Sequence, residues 1–197
     1  PEDIRAVIDH AASKSLVVLD ETYAEFTDQP SFTSQIRNYP HLVILRTLSK
    51  SYSLAGMRIG CAISSVPELM QIMRTKVMET YPIARGSSEA ALKVLQPEIL
   101  KIAREKIKKI IKERERMREF LSAHKNITTV YPSDANFLLV QMEKAHDFYN
   151  FALSKGIITR DLSGAQGTED CIRLSIGTPE QNDLVMDLVK TFYAGQH

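Results

Sequence analysis

Cysteine is scarce in this sequence. Only Cys61 and Cys171 occur among 197 residues. They lie far apart, each inside an apolar run, so two buried free thiols in a reducing compartment are expected in preference to a disulfide. Net charge is equally scarce: 25 Lys and Arg against 24 Asp and Glu leave +1. No global field therefore draws nucleic acid or an anionic membrane. No apolar run reaches the length of a membrane span, and the N-terminus lacks the charged-then-apolar pattern of a signal peptide. A cytoplasmic protein is expected. Internal repeats and low-complexity tracts are missing too. What remains is an ordinary globular composition, 44% hydrophobic and 25% charged, in a chain long enough to bury a core without staples.

The chain opens without an initiator methionine. Pro1 suits a first helical position, and Ile4, Val7, Ile8 and Ala11 recur at helical spacing before a short apolar run, Leu16 to Leu19, that ends in Asp20. This pattern predicts a helix and then a strand buried on both faces, as in parallel α/β sheets. HLVILRT (41–47) and RIGCAIS (58–64) predict two more buried strands. PELMQIMRTKVM (67–78) and SSEAALKVL (87–95) predict helices. Alternating strands and helices indicate a layered α/β domain. With no element ahead of the first helix, the chain is expected to be the C-terminal part of a larger α/β unit.

From Pro97 the character changes. Residues 97–124 form one long charged helical pattern with an apolar stripe at Ile99, Ile102, Ala103, Ile107, Ile110, Ile111, Met117 and Leu121. The remaining Lys, Arg and Glu read as a solvated face, and the interleaved glutamates argue against nucleic-acid or membrane binding. Beyond it lie strands at 127–132 and 136–142, a helix at 145–156, strands at 156–162 and 171–177, and a helix at 179–193. Gly156 suits a helix C-terminus and Thr178 a helix cap. A small α+β domain results. The expected division is 1–96, the C-terminal part of a large domain, and 97–197, a bridging helix with the small domain.

The stretch RTLSKSYSLAGMRIG (46–60) carries the chemistry. A lysine on a turn beside a buried strand is ordinarily a solvated charge; its functional alternative is a Schiff-base nucleophile. Asp20 closes a strand, where open α/β sheets collect ligands, and Tyr23 adds a phenol just beyond. Pyridoxal 5'-phosphate needs a carboxylate at its ring nitrogen, a donor at its phenolic oxygen, a lysine for its aldehyde, and hydroxyls with an arginine fork for its phosphate. Asp20, Tyr23, Lys50, Thr47 with Ser49, and Arg58 supply each in turn.

VVLDETYAEF (17–26), VILRTLSKSYSLAGMRIG (43–60), PSDANFLLV (132–140), GIITRD (156–161) and IRLSIGTPEQN (172–182) together resemble the histidinol-phosphate aminotransferases. These are pyridoxal-phosphate enzymes of the class I/II aminotransferase group, fold type I, and the resemblance covers essentially the whole chain. It implies the C-terminal part of the large cofactor-binding domain plus a complete small domain. It also implies amino transfer between histidinol phosphate, or imidazole acetol phosphate, and glutamate or 2-oxoglutarate. Lys50 would bond the cofactor aldehyde and shuttle a proton, Asp20 would pair with the ring nitrogen, and Tyr23 would bond the 3′-oxygen. Thr47, Ser49 and Arg58 would hold the cofactor phosphate. Arg173 falls where the family binds the substrate carboxylate and Arg160 where it helps bind the substrate phosphate, while Asn136 would line the pocket. Ser53 stands where many relatives carry glycine. A homodimer is implied, and no metal. The family's glycine-containing phosphate loop, stacking ring and asparagine do not precede Pro1, so the chain alone is expected to be inactive. An aromatic-amino-acid transaminase, a phosphothreonine decarboxylase and a non-catalytic ligand-binding module remain open alternatives.

Overall fold

The computed structural model describes residues 2–12 and 14–195, so Pro1 and its expected helical position lie outside the described residues. The chain divides into two compact units, one ending at Arg104 and the other starting at Glu105.

The first unit contains α1 (Glu2–Ala11), β1 (Val17–Asp20), β2 (Leu42–Thr47), β3 (Gly60–Ile63), α2 (Pro67–Ile72) and α3 (Arg85–Val94), with a π-helical turn Met73–Val77 extending α2. Its sheet runs β1-β2-β3. β1 and β2 pair in parallel, whereas β3 runs antiparallel to β2, so the sheet is mixed. Burial also departs from expectation. Only central β2 buries consecutive residues, Leu42, Val43 and Ile44. β1 alternates, because one face alone is covered: Val17 and Leu19 pack on the cluster of Ile8, Phe32, Leu42 and Ile44, while Val18 is 59% exposed. The period of two that puts successive side chains on opposite faces accounts for this. On α1 the same one-sided cover buries Ile8 and leaves Ile4 and Val7 exposed. β3 is an edge strand, and Cys61 on it is exposed, contrary to the expected buried thiol; Cys171 is buried as expected.

Gly60 has a steric role. A Cβ there would lie 2.7 Å from the Arg46 carbonyl oxygen, so only glycine lets β3 pair closely with the end of β2. Ser53, in the turn between these strands, adopts φ 58°, a left-handed conformation that glycine tolerates better. Three 3₁₀ turns, Ala24–Phe26, Phe32–Asn38 and Ala55–Met57, shape the loops.

The boundary between the units falls within α4 (Pro97–Ser122). The second unit continues with β4 (Ile127–Val130), β5 (Phe137–Met142), α5 (Ala145–Ser154), β6 (Arg160–Asp161), β7 (Cys171–Ser175) and α6 (Pro179–Ala194). Its antiparallel sheet runs β4-β5-β7-β6. One core, centred on Met117, Leu121, Leu138, Phe148, Ile172 and Val189, joins α4, α5 and α6 to the sheet. Thr178 caps α6 in a reciprocal box with Gln181, as its sequence position suggested. Gly156, at φ 79°, ends α5 while Ile157 N–H returns to Ala152 O at 2.9 Å, a closure only a left-handed residue supports cheaply. β6 is shorter than the expected 156–162. Asp161 Oδ1 accepts the Ser163 N–H at 2.9 Å and turns the chain out of the ladder. The charged face of α4 is not wholly solvated either. Arg114 is buried, and its Nη1 donates to Ala135 O at 2.9 Å.

Candidate active site

In the first unit, the ends of β1 and β2 gather the expected residues. Asp20 is the last residue of β1, in register with Leu45, and its Oδ1 accepts the Thr22 N–H at 2.9 Å. That short turn leads to Tyr23, which heads the 3₁₀ turn Ala24–Phe26. From the end of β2, Thr47 Oγ1 accepts the Ser49 N–H at 3.1 Å and lies 2.9 Å from Ser49 Oγ. Two hydroxyls thus stand side by side. Lys50 follows, exposed, with Nζ 5.6 Å from the centroid of the Tyr23 ring. Arg58 closes the loop at φ 53°, its Nη1 donating to Ala55 O at 2.9 Å. Asp20, Tyr23, Thr47, Ser49, Lys50 and Arg58 are therefore carried on one end of one sheet. Of these six, Thr47 also lines a cleft of about 460 Å³, together with Glu25, Arg46, Tyr52 and Cys61. Burial, helped by Glu25, pushes the Tyr52 phenol above its usual range.

Beneath this surface lies a charge network that the sequence reading passed over. Arg46 forks between two carboxylates: Nη1 donates to Glu21 Oε2 at 3.0 Å, and Nη2 donates to Glu25 Oε1. Glu21 also accepts the Ser31 hydroxyl at 2.5 Å and the Phe32 N–H at 2.9 Å. Glu25 Oε2 accepts the hydroxyl of buried Ser51 at 2.7 Å. Burial alone would pull the Arg46 guanidinium down, but Glu25 and then Glu21 hold it above its usual range. The available signal was Arg46 itself, a charge inside an otherwise apolar strand, with two glutamates in the motif that ends β1 and follows it.

The second unit carries the other three candidates. Arg160 on β6 and Arg173 on β7 are direct cross-strand partners, so both side chains project from the same face of the sheet. Arg173 also stacks over Phe137, with Cζ 5.2 Å from the ring centroid. Asn136 precedes β5, and its carbonyl accepts the Ile176 N–H at 2.9 Å. The neighbouring Ala135 carbonyl is the acceptor for buried Arg114. Next to Arg160, Asp161 accepts bonds from Ser163 Oγ at 2.6 Å and meets His146 Nδ1 at 2.7 Å. Burial raises the Asp161 carboxyl, but these bonds outweigh it and leave it below its usual range.

Comparison with known proteins bears on the family and the fold. The family model for aminotransferase class I and II matches residues 1–189. A histidinol-phosphate aminotransferase of Parabacteroides distasonis is 38% identical over 177 residues, covering 90% of this chain and 50% of its own length. Among solved structures, the histidinol-phosphate aminotransferase from Clostridium acetobutylicum superposes with a TM-score of 0.89 at 26% identity, over 98% of this chain and 59% of that one. The enzyme from Sinorhizobium meliloti, solved in complex with pyridoxal-5'-phosphate, gives 0.79 at 26% identity, over 95% and 53%. The chain spans about half the length of the curated relatives it matches. With a mixed α/β fold of this topology, an exposed lysine at a strand-end turn and a family match across nearly all its residues, the chain belongs to the class I and II aminotransferases.

Proposed function

We propose that this polypeptide serves amino transfer between histidinol phosphate, or its keto counterpart imidazole acetol phosphate, and the glutamate/2-oxoglutarate pair in histidine biosynthesis. The supporting observation is the Lys50 amine set against the Tyr23 ring at the strand end where Asp20 closes β1. The family relatives named for this activity support the same choice.

Pyridoxal 5'-phosphate, when bound, supplies an electrophilic aldehyde and a ring that draws electrons from the substrate α-carbon. The donor set of the first unit fits it. Asp20 spends one oxygen on Thr22, and an ionised carboxylate has further lone pairs to hold a proton on a ring nitrogen. The Tyr23 hydroxyl would donate to the phenolic oxygen. Lys50 Nζ would react with the aldehyde and carry a proton to and from the substrate α-carbon. Thr47, Ser49 and Arg58 would hold the phosphate. The present Arg58 contact, to the neutral Ala55 carbonyl, is one that a doubly charged anion outcompetes.

In the second unit, Arg160 and Arg173 are paired directly across β6 and β7, so two cationic residues share one face of the sheet. Like charges opposite each other cost stability, and a doubly anionic ligand removes that cost. Arg173 would bind the substrate carboxylate, Arg160 the substrate phosphate, and Asn136 would line the pocket. The carboxylate would be that of glutamate and the phosphate that of histidinol phosphate; phosphothreonine carries both anions in one molecule, so a decarboxylase acting on it is the competing activity. The reading extends to a homodimer and to the cytoplasm; no described helix is long and apolar enough to cross a membrane.

The test is reductive trapping. The polypeptide is incubated with excess pyridoxal 5'-phosphate, reduced with borohydride and mapped by mass spectrometry. The adduct is expected on Lys50; mapping to Lys76 or Lys93 instead overturns the assignment. For the substrate, Arg160→Ala should weaken histidinol phosphate binding far more than glutamate binding, and release of carbon dioxide from phosphothreonine would favour the decarboxylase.

A further inference from the structure

Two short segments meet at the lysine, and they are joined twice. Tyr23 and Glu25 sit on the turn after β1, and Lys50 and Ser51 sit on the turn after β2. Lys50 Nζ faces the Tyr23 ring at 5.6 Å, and the Ser51 hydroxyl donates to Glu25 Oε2 at 2.7 Å. The second link is the better built. Ser51 is 8% exposed, and the Glu25 side chain is 16% exposed and also engaged by Arg46. Arg46 in turn is anchored by Glu21, which holds Ser31 Oγ and Phe32 N–H. The hydroxyl next to the lysine is thereby tied, through two carboxylates and one guanidinium, to both strands that carry the candidate site.

We infer that Glu25 and Ser51 are positioning residues: the Ser51–Glu25 hydrogen bond, braced by Arg46, sets the Lys50 backbone so that its amine is held against Tyr23. Lys50 has an exposed, flexible side chain, and rotamer freedom in a long side chain is costly to lose. Fixing the adjacent residue narrows the volume its amine explores. An amine confined near its target reacts faster than one that samples solvent. Neither Glu25 nor Ser51 is assigned a contact with cofactor or substrate. They act through Lys50, and the inference rests on the assignment of Lys50 to the cofactor aldehyde.

The experiment compares wild-type polypeptide with Ser51→Ala, Ser51→Thr and Glu25→Gln, each checked for folding by circular dichroism. Two readouts are taken. One is the rate and site of reductive trapping by pyridoxal 5'-phosphate, in which the amine condenses with the aldehyde, losing water, and borohydride delivers hydride to leave a secondary amine. The other needs no cofactor: the ring-current shift that Tyr23 imposes on the ε-protons of Lys50, read by NMR of ¹³C-lysine-labelled protein. Ser51→Ala and Glu25→Gln should slow trapping at Lys50 by about tenfold, the worth of one hydrogen bond to a charged group, and should move the Lys50 signal toward random-coil shifts. Ser51→Thr, which keeps the hydroxyl, should restore both. A folded Ser51→Ala protein with unchanged Lys50 shift and trapping rate overturns the inference while leaving the lysine assignment intact. A wild-type adduct away from Lys50 overturns the assignment itself. Should Ser51→Ala fail to fold, Glu25→Gln, which preserves size and shape, decides by the same two readouts.

Discussion

Replacing Arg160 by glutamine should make this protein more stable while impairing anion binding. Arg160 and Arg173 are direct partners in the antiparallel β6–β7 ladder, where like charges facing each other destabilise by roughly 0.2–1 kcal/mol. Arg173 is the poorer one to remove, because its guanidinium lies 5.2 Å from the Phe137 ring, a stacking worth about 0.5–1 kcal/mol at an exposed site. Arg160→Gln keeps a long polar side chain and leaves the stack intact. The expected gain is about 0.5 kcal/mol at 10 mM salt, where the screening length is near 30 Å, and almost nothing at 1 M, where it is near 3 Å. Urea denaturation at the two salt concentrations measures it. Added inorganic phosphate supplies the converse arm: wild type should gain stability as the anion fills the site, by RT ln(1 + [L]/Kd), and the variant should gain far less. Destabilisation by Arg160→Gln at both salt concentrations, or equal stabilisation of both proteins by phosphate, would refute the picture of a strained pair awaiting an anion.

Asn182 is 1% exposed; its Nδ2 donates to Glu113 Oε2 at 2.8 Å and to Gly177 O at 3.3 Å, while its Oδ1 accepts Gly177 N–H at 2.9 Å. Asn182→Ala should cost about 2–4 kcal/mol in urea unfolding, since buried groups are left unpaired, and a loss below about 0.5 kcal/mol would contradict the network. Arg116 first, and then Asn182, holds the Glu113 carboxyl below its ordinary value of 4.5. A depressed native value means stability fully present above the unfolded value and lost as pH falls through the native one, so unfolding free energy should drop below about pH 4.5. Glu113→Gln should flatten that slope, and an unaltered slope would sink the assignment. Ser53, at φ 58°, should gain about 0.5 kcal/mol when changed to glycine, measured as a higher urea midpoint with Lys50 trapping unchanged; a lower midpoint would show that the turn tolerates serine without strain.

Local information was enough for much of this protein. Helix and strand order followed from apolar spacing, and the caps at Thr178 and Gly156 from single residue types, because helix ends leave backbone groups that few side chains satisfy. The strand-end aspartate, the turn lysine and the paired hydroxyls of the candidate site lie close to strand ends in contiguous motifs, so their placement at one end of the sheet was legible for the same reason. Only the tertiary structure decided what faces what. The identical pattern of apolar residues buries β2 and half-exposes β1, since cover on the second face comes from elsewhere in space. Cys61 and Arg114 changed places with expectation, the thiol exposed on an edge strand and the arginine buried beneath the Ala135 carbonyl, because burial depends on neighbours distant in sequence. The opposition of Arg160 and Arg173 is a matter of strand register across a gap of 13 residues. Single bonds of the Glu21–Arg46–Glu25–Ser51 network reach across 25 and 26 residues. No spacing rule reaches that far: such bonds exist only once β1 and β2 lie side by side.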